Sequence, residues 1–197
     1  MMISQSIRFP TLATTLWNDS GRIRSITLMV VGAALLTLSA KVQIPFYPVP
    51  MTMQTFVVLV LGLTYGFKLG GMTVLLYLVL GSTGLPVFAG TPEKGIGLLY
   101  MVGPTGGYLL GFVLAAMTTG YLAERGWDRE MMSTFLALLI GNVLIYVPGL
   151  IWLGNVVGWD KPVLAWGLTP FVFGDMAKIV LAMLVVPAAW KVVRKID

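Results

Sequence analysis

The chain has 197 residues, of which 57% are hydrophobic and only 11% are charged. A soluble domain carries about 25% charged residues, so this composition excludes a water-soluble globular protein and predicts an integral membrane protein in a lipid bilayer. The formal net charge of +5 does not indicate a nucleic-acid partner, because the basic residues are scattered around apolar blocks and form no stripe along which a phosphate backbone could run.

The inventory of side chains also limits the chemistry. The sequence has no Cys and no His, which excludes disulfides, thiolate zinc sites, haem ligation and imidazole acid–base catalysis. It shows neither two facing carboxylates nor a nucleophile with an adjacent base. We therefore predict a protein that is not an enzyme and holds neither a metal nor a cofactor.

Hydrophobic periodicity and block length predict an all-α membrane protein with six transmembrane helices. Residues 1–24 are expected to be a cytoplasmic or interfacial lead-in; a signal peptide is the alternative, disfavoured by the long basic stretch before the first apolar block. Residues 193–197 are expected to form a cytoplasmic tail, after a six-helix domain spanning 25–192. The six predicted helices cover about 25–42, 52–67, 70–83, 105–123, 131–153 and 169–192.

The connection between the third and fourth predicted helices is rich in Gly and Pro and covers residues 84–104. The second and third helices are also short for independent spans. Irregular backbone is tolerated at membrane depth only where it is buried in protein or lines a cavity. The sequence therefore predicts a partly inserted loop at this point.

The distribution of Lys and Arg predicts the orientation. Basic residues concentrate in cytoplasmic loops, and an arrangement with both termini in the cytoplasm satisfies that rule. It places nine basic residues inside, namely Arg8, Arg22, Arg24, Lys68, Arg125, Arg129, Lys191, Arg194 and Lys195, and three outside, namely Lys41, Lys94 and Lys161. The remaining one, Lys178, falls within the last helix.

Small residues recur at four-residue spacing along three of the predicted helices. They are Ala33 and Thr37, then Gly62, Gly66 and Gly70, then Gly107, Gly111, Ala115 and Thr119. Such spacing lets helices approach closely. It indicates packing within the chain or, alternatively, a surface for the helices of a partner.

The last helix carries the two charges predicted deepest in the membrane, Asp175 and Lys178. Thr169 and Pro170 are expected as its N-cap and first residue, which would place the charges about 9 and 13 Å along the helix, on one face. Ionisable groups at such depth are costly and usually functional. The alternative is a structural ion pair in which Lys178 extends outward to the interface.

The fourth helix begins with a glycine-rich run that includes Gly103, Thr105, Gly106 and Tyr108. Glycines permit close backbone approach, and a helix N-terminus offers N–H groups and partial positive charge to an anion. The run lacks the pattern of a nucleotide-binding loop, so we do not expect ATP hydrolysis by this chain. The alternative is an ordinary helix start.

Two amide side chains complete the candidate site residues. Gln54 enters the second helix from the outside, where it can donate and accept hydrogen bonds or serve near the helix cap. Asn142 lies in the middle of the fifth predicted helix, where we expect it either to bridge helices or to contact a ligand. Aromatic residues such as Tyr100 and Tyr146 belong to the membrane belt, the core or the wall of an apolar pocket.

The outer ends of the second, fourth and sixth helices and the 84–104 loop lie on one side of the predicted membrane domain. They bring one acid, one base, amides and aromatic rings together. This set predicts a small binding pocket open to the exterior.

Four motifs, in this order, resemble those of the biotin-specific S components of energy-coupling factor transporters, the BioY family. They are PVPMTMQTF at 48–56, GLPVFAG at 84–90, GPTGGY at 103–108 and GDMAK at 174–178, and the resemblance extends over roughly 25–190. It implies a six-helix subunit of a bacterial cytoplasmic membrane that captures biotin outside, with loops as a lid. Its implied partners are a transmembrane coupling protein and a pair of cytoplasmic ATPases.

The resemblance also implies roles for individual residues. Asp175 and Lys178 would bind the ureido ring of biotin, and the helix start at 103–108 would face the valerate carboxylate. Leu109 stands where some relatives have an arginine, so Lys94 or backbone N–H groups are the substitutes. In this family the small residues of the first helix dock on the coupling protein.

Two other functions stay open at this point. The same scaffold could capture another vitamin, such as riboflavin or thiamin. Alternatively, the chain could be a self-sufficient ion-coupled carrier in which Asp175 exchanges a proton.

Overall fold

A computed structural model describes residues 9–17 and 21–193 of the chain. Its helices are α1 (Leu12–Leu16), α2 (Arg22–Lys41), α3 (Gln54–Ser82), α4 (Gly97–Met101), α5 (Gly106–Ala123), α6 (Met131–Val157), α7 (Val163–Gly167) and α8 (Val172–Val193). A 3-10 turn, Thr169–Phe171, joins α7 to α8. Strands β1 (Gln43–Ile44) and β2 (Met51–Thr52) form an antiparallel hairpin with Gln43 opposite Thr52.

Five segments of the described chain are long and apolar enough to cross a membrane: α2, α3, α5, α6 and the segment from α7 to the end of α8. Their outward faces are apolar, with Leu38, Val30 and Phe173 among the exposed side chains. Such faces are unfavourable in water and favourable in lipid. The mostly helical fold is therefore that of a multi-pass membrane protein.

Helix α3 turns back on itself at Gly66, whose φ of 84° and ψ of −179° are not helical. The side-chain amide of Gln54 donates to the hydroxyl of Tyr77 over 2.7 Å. In a straight helix these two residues would lie about 35 Å apart along the axis. Residues 54–65 and 67–82 are therefore two antiparallel arms, and only a glycine readily adopts the positive φ between them.

Small residues allow the helices to pack closely within the chain. A Cβ atom at position 62 would lie 2.0 Å from the hydroxyl oxygen of Thr119, so α3 and α5 are in direct backbone contact there. Ala33 is only 2% exposed, and the hydroxyl of Thr37 donates to its carbonyl over 2.9 Å. Ala33 therefore packs within the chain, whereas Thr37, one turn further along the same face, is only half-buried.

The start of the last helix differs from the prediction. Thr169 does not cap α8; its hydroxyl donates to the carbonyl of Leu164 over 3.2 Å, and the 3-10 turn precedes the helix. Because α8 begins at Val172, Asp175 lies in its first turn, where the helix dipole favours a carboxylate. The ion pair is thus close to the helix start and not two turns inside it.

The opposite end of the bundle holds the N-terminal segment. Helix α1 packs against α3 and α8, and the backbone N–H of Phe9 donates to the carbonyl of Glu124 over 2.8 Å. Arg8, Arg194 and Lys195, which enter the predicted orientation, lie outside the described residues. So do residues 1–8 and 18–20 of the predicted lead-in.

Candidate binding site

A cavity lies where the β hairpin, α3, α5, α6 and the start of α8 meet. Its lining residues are Val49, Pro50, Met51, Thr52, Gln54, Thr55, Ala89, Tyr100, Thr105, Tyr108, Leu109, Phe112, Ile145, Tyr146, Phe171, Asp175 and Lys178. Most are apolar or aromatic, so polar contacts are confined to a few positions.

Asp175 and Lys178 form an ion pair against this cavity. The ammonium nitrogen of Lys178 lies 2.8 Å from Asp175 Oδ1, and the two side chains are only 10% and 4% exposed, respectively. The ammonium also donates to the carbonyl of Thr52 over 2.7 Å and to the hydroxyl of Thr55 over 3.0 Å. An ammonium has three protons, so this geometry uses all of them.

Beside Lys178 of its own helix, side chains from two other elements of the fold hold the carboxylate of Asp175. The hydroxyl of Thr55, on α3, donates to Oδ1 over 3.2 Å, and the hydroxyl of Tyr146, on α6, donates to Oδ2 over 2.5 Å. A buried charge of this kind persists only when its partners offset the cost of desolvation. The result is a polar cluster with no net charge at one wall of an otherwise apolar cavity.

Gln54 connects the cavity to the 84–104 loop. Its Oε1 accepts a hydrogen bond from Thr52 over 3.3 Å, and its amide nitrogen donates to Tyr77. The hydroxyl of Tyr77 in turn donates to the carbonyl of Val87 over 3.1 Å. Ala89, two residues further, lines the cavity.

The apolar side of the cavity is built around Tyr108. Its hydroxyl donates to the carbonyl of Gly167 over 2.9 Å, and this bond links α5 to the end of α7. Its ring stands edge-on to Tyr146 at 6.0 Å, and Tyr146 lies 6.4 Å from the ring of Phe171. These three rings give the cavity a rigid wall.

The structure brings together five of the nine predicted site residues: Gln54, Thr105, Tyr108, Asp175 and Lys178 line the cavity. Gly103, Gly106, Lys94 and Asn142 are not among its lining residues.

The glycines at the start of α5 have a packing role. The backbone N–H of Gly106 donates to the carbonyl of Gly103 over 3.0 Å, and the same carbonyl accepts a bond from Trp152 over 2.9 Å. A Cβ at position 106 would lie 2.0 Å from the carbonyl oxygen of Met101. The N–H of Gly106 is therefore occupied by the turn and is not directed to a ligand.

Lys94 and Asn142 are not among the residues that line the cavity. Lys94 is exposed, with its methylene groups beside Gly90. Asn142 lines a separate groove between α6 and α8, and its Oδ1 is buried without a hydrogen-bond partner among the described residues. Tyr146 and Asp175 line both the groove and the cavity, so the two spaces are neighbours.

Sequence reasoning missed Thr55 as a site residue and considered Tyr146 and Tyr100 only as belt, core or pocket-wall residues. Thr55 follows Gln54 directly in the PVPMTMQTF motif, and this position beside a candidate site residue could have indicated it. Its contact with a residue 120 positions later is a tertiary feature that periodicity cannot provide.

A model of the BioY family matches residues 10–195 of the chain. A relative from Thermotoga maritima, described as a biotin transporter BioY, is 40% identical over 153 residues, covering 77% of this chain and 87% of the relative. One from Pyrococcus horikoshii, described as a probable biotin transporter BioY, is 35% identical over 164 residues, covering 83% and 94%.

A solved structure is also similar to the fold. It is the crystal structure of an S-component for biotin from an ECF-type ABC transporter, with a TM-score of 0.69 and 25% sequence identity. The match covers 86% of this chain and 92% of the solved one. The chain belongs to the BioY family.

Proposed function

We propose that this chain captures biotin outside the cell and serves in its uptake as the substrate-binding S component of an energy-coupling factor transporter. The observation that carries the proposal is the buried Asp175–Lys178 pair facing a small apolar cavity. The biotin transporters among its relatives and the similar S-component structure support it.

The head group of biotin is a neutral ureido ring with two N–H donors and one carbonyl acceptor. The carboxylate of Asp175 accepts from the N–H groups, and Lys178 donates to the carbonyl. Because all three ammonium protons of Lys178 have protein acceptors, the ligand carbonyl must replace one of these acceptors. That exchange leaves the number of hydrogen bonds made by Lys178 unchanged, and burial of the apolar ring atoms adds to the affinity.

The absence of net charge in the polar cluster favours biotin over other vitamins. A cation such as thiamin would leave an uncompensated positive charge next to Lys178, at a cost of several kcal/mol. A flavin needs a flat aromatic slot, whereas the rings of Tyr108 and Tyr146 meet at 88°. The neutral ureido head has neither difficulty.

The carboxylate of biotin needs a partner at the other end of the cavity. We propose the start of α5 at Thr105, which lines the cavity, with Lys94 as the cationic partner, since its side chain lies beside Gly90, next to the lining residue Ala89. Gly103 and Gly106 flank Thr105 in the sequence, and Asn142 lines the neighbouring groove.

We propose six membrane crossings: α2, the two arms of α3, α5, α6 and the segment from α7 to α8. The fold-back at Gly66 supports this count, because it makes successive segments alternate in direction. Gln54 and Tyr77 then lie at the outer end and Gly66 at the inner end. Both termini would be cytoplasmic, in a bacterial cytoplasmic membrane, and the partners would be a transmembrane coupling protein and a pair of ATPases.

Ligand binding by the purified protein in detergent tests the proposal. Biotin, riboflavin and thiamin are compared by calorimetry and thermal unfolding. A ligand at a thousandfold its dissociation constant adds about 4 kcal/mol of stability. We expect this for biotin alone, with binding lost in Asp175→Asn and retained in Asp160→Asn, whose carboxylate is 73% exposed. Stabilisation by riboflavin or thiamin, and not by biotin, would refute the proposal.

Uptake into liposomes tests the ion-coupled alternative. We expect biotin accumulation only when the coupling protein and the ATPases are present with ATP. Accumulation by the chain alone, abolished by an uncoupler, would favour proton exchange at Asp175 instead.

A further inference from the structure

The ammonium group of Lys41, the last residue of α2, lies within a ring of oxygen atoms from the 86–91 segment. Its three protons face four acceptors within hydrogen-bond distance: the carbonyls of Pro86 (2.8 Å), Phe88 (3.0 Å) and Thr91 (3.2 Å), and the hydroxyl of Thr91 (3.1 Å). A lysine at a helix end near the surface is ordinarily a solvated charge. Here it gathers three backbone carbonyls that would otherwise repel one another.

The segment held by Lys41 belongs to the wall of the cavity. Ala89 lines the cavity directly. The buried ring of Phe88 stacks at 4.8 Å on Tyr100, a second lining residue, and stands edge-on to Tyr77 at 5.4 Å. The position of this loop therefore determines the shape of the site.

Two independent attachments fix the segment. One is the Lys41 ammonium, and the other is the bond from Tyr77 to Val87 that continues the contact from Gln54. Tyr77 is part of the packed core, whereas Lys41 is not among the residues that line the cavity. Removing the Lys41 charge would release the loop without altering the groups that recognise the ligand.

We propose that Lys41 is a positioning residue for the ligand site: its ammonium fixes residues 86–91 as a closed wall, and this slows ligand release. The identity of the ligand in this inference rests on the proposed function, the capture of biotin. The attachment of the loop by Lys41 does not depend on which ligand binds.

The test compares Lys41→Met, which keeps the length of the side chain, with Lys41→Arg, which keeps the charge and the donors. Lys161→Met is the matched control, since Lys161 is a half-exposed lysine paired with Asp160. The rate of biotin release is measured by chasing labelled biotin from the detergent-purified protein. Hydrogen exchange of the amides at 86–95 is measured without ligand.

We expect Lys41→Met to raise the release rate by about tenfold or more, with the association rate changed by less than about twofold, since such effects reside mainly in dissociation. Exchange at 86–95 should accelerate in the same variant. Lys41→Arg should restore both values most of the way, and Lys161→Met should match the wild type.

A wild-type release rate in folded Lys41→Met would overturn the inference. Should that variant fail to fold, Lys41→Gln, which removes the charge and keeps a polar side chain, must accelerate exchange at 86–95, and unchanged exchange there would equally refute the proposal. If the wild type binds no biotin, the proposed function fails, while the exchange measurement still decides whether Lys41 fixes the loop.

Discussion

A buried carboxylate lies at each end of α8, and the two carboxylates have different surroundings. Near its start, Asp175 accepts hydrogen bonds from Tyr146, Thr55 and Lys178 and faces an open cavity. About 22 Å further along the helix, Trp190 donates to Asp128, which is 0% exposed.

At the Asp128 end, aromatic rings surround the neighbouring cation. The guanidinium of Arg129 lies 4.7 Å from the centre of the Phe9 ring and 4.5 Å from that of Trp190, and it donates to the carbonyl of Pro10. These contacts hold the N-terminal segment against the end of the bundle. The two carboxylates therefore differ in what surrounds them: that of Asp175 faces a cavity, whereas that of Asp128 lies among packed segments of the chain.

The largest expected effect is that of Lys178→Met. Truncating one partner of a buried, hydrogen-bonded pair costs about 2–5 kcal/mol, so biotin affinity should fall by about 30-fold or more. Calorimetry on the purified variant measures it. Arg129→Met, at the other end of α8, should change affinity by less than about twofold. Similar losses of affinity in the two variants would remove the distinction between the two ends.

Tyr146→Phe should have the next largest effect. It removes one donor to the carboxylate of Asp175 and keeps the ring in the cavity wall. A hydrogen bond to a charged group contributes about 1.5–3 kcal/mol, so we expect affinity to fall by about 10- to 100-fold. Tyr121→Phe, whose half-exposed ring lies under Arg125, is the control in the same titration. Unchanged affinity in Tyr146→Phe would show that Lys178 and Thr55 hold Asp175 without it.

Trp190→Phe should lower stability and leave affinity unchanged. It removes the indole donor from a fully buried carboxylate, at a cost of about 1–3 kcal/mol. Thermal unfolding in detergent should show the lower midpoint, and a biotin titration below that temperature should give the wild-type dissociation constant. A tenfold weaker affinity would mean that the C-terminal end of α8 is coupled to the site.

The sequence alone predicts the membrane fold and the Asp175–Lys178 pair, because apolar block length and the i, i+3 spacing of two charges are local properties. It does not predict the reversal at Gly66, since a glycine in an apolar run is equally compatible with a packing contact. Nor does it reveal that Asp128 is buried, because residues 124–130 are as polar as any exposed loop. Thr55 and Tyr146 join the cluster only through contacts between helices. Their role in binding stays a prediction, as does that of the pair.

The smallest expected effect is that of Asn142→Leu, which tests whether a polar group beside the cavity belongs to the site. Asn142 lies one helical turn before Tyr146, but it lines the groove between α6 and α8, and its Oδ1 is buried without a hydrogen-bond partner among the described residues. Leucine has a similar volume and removes the energetic cost of burying an oxygen without a hydrogen-bond partner, so stability should be unchanged or slightly higher. Biotin affinity should change by less than about twofold in the same titration. A tenfold loss would instead extend the binding site into the groove, since Asp175 and Tyr146 line both spaces.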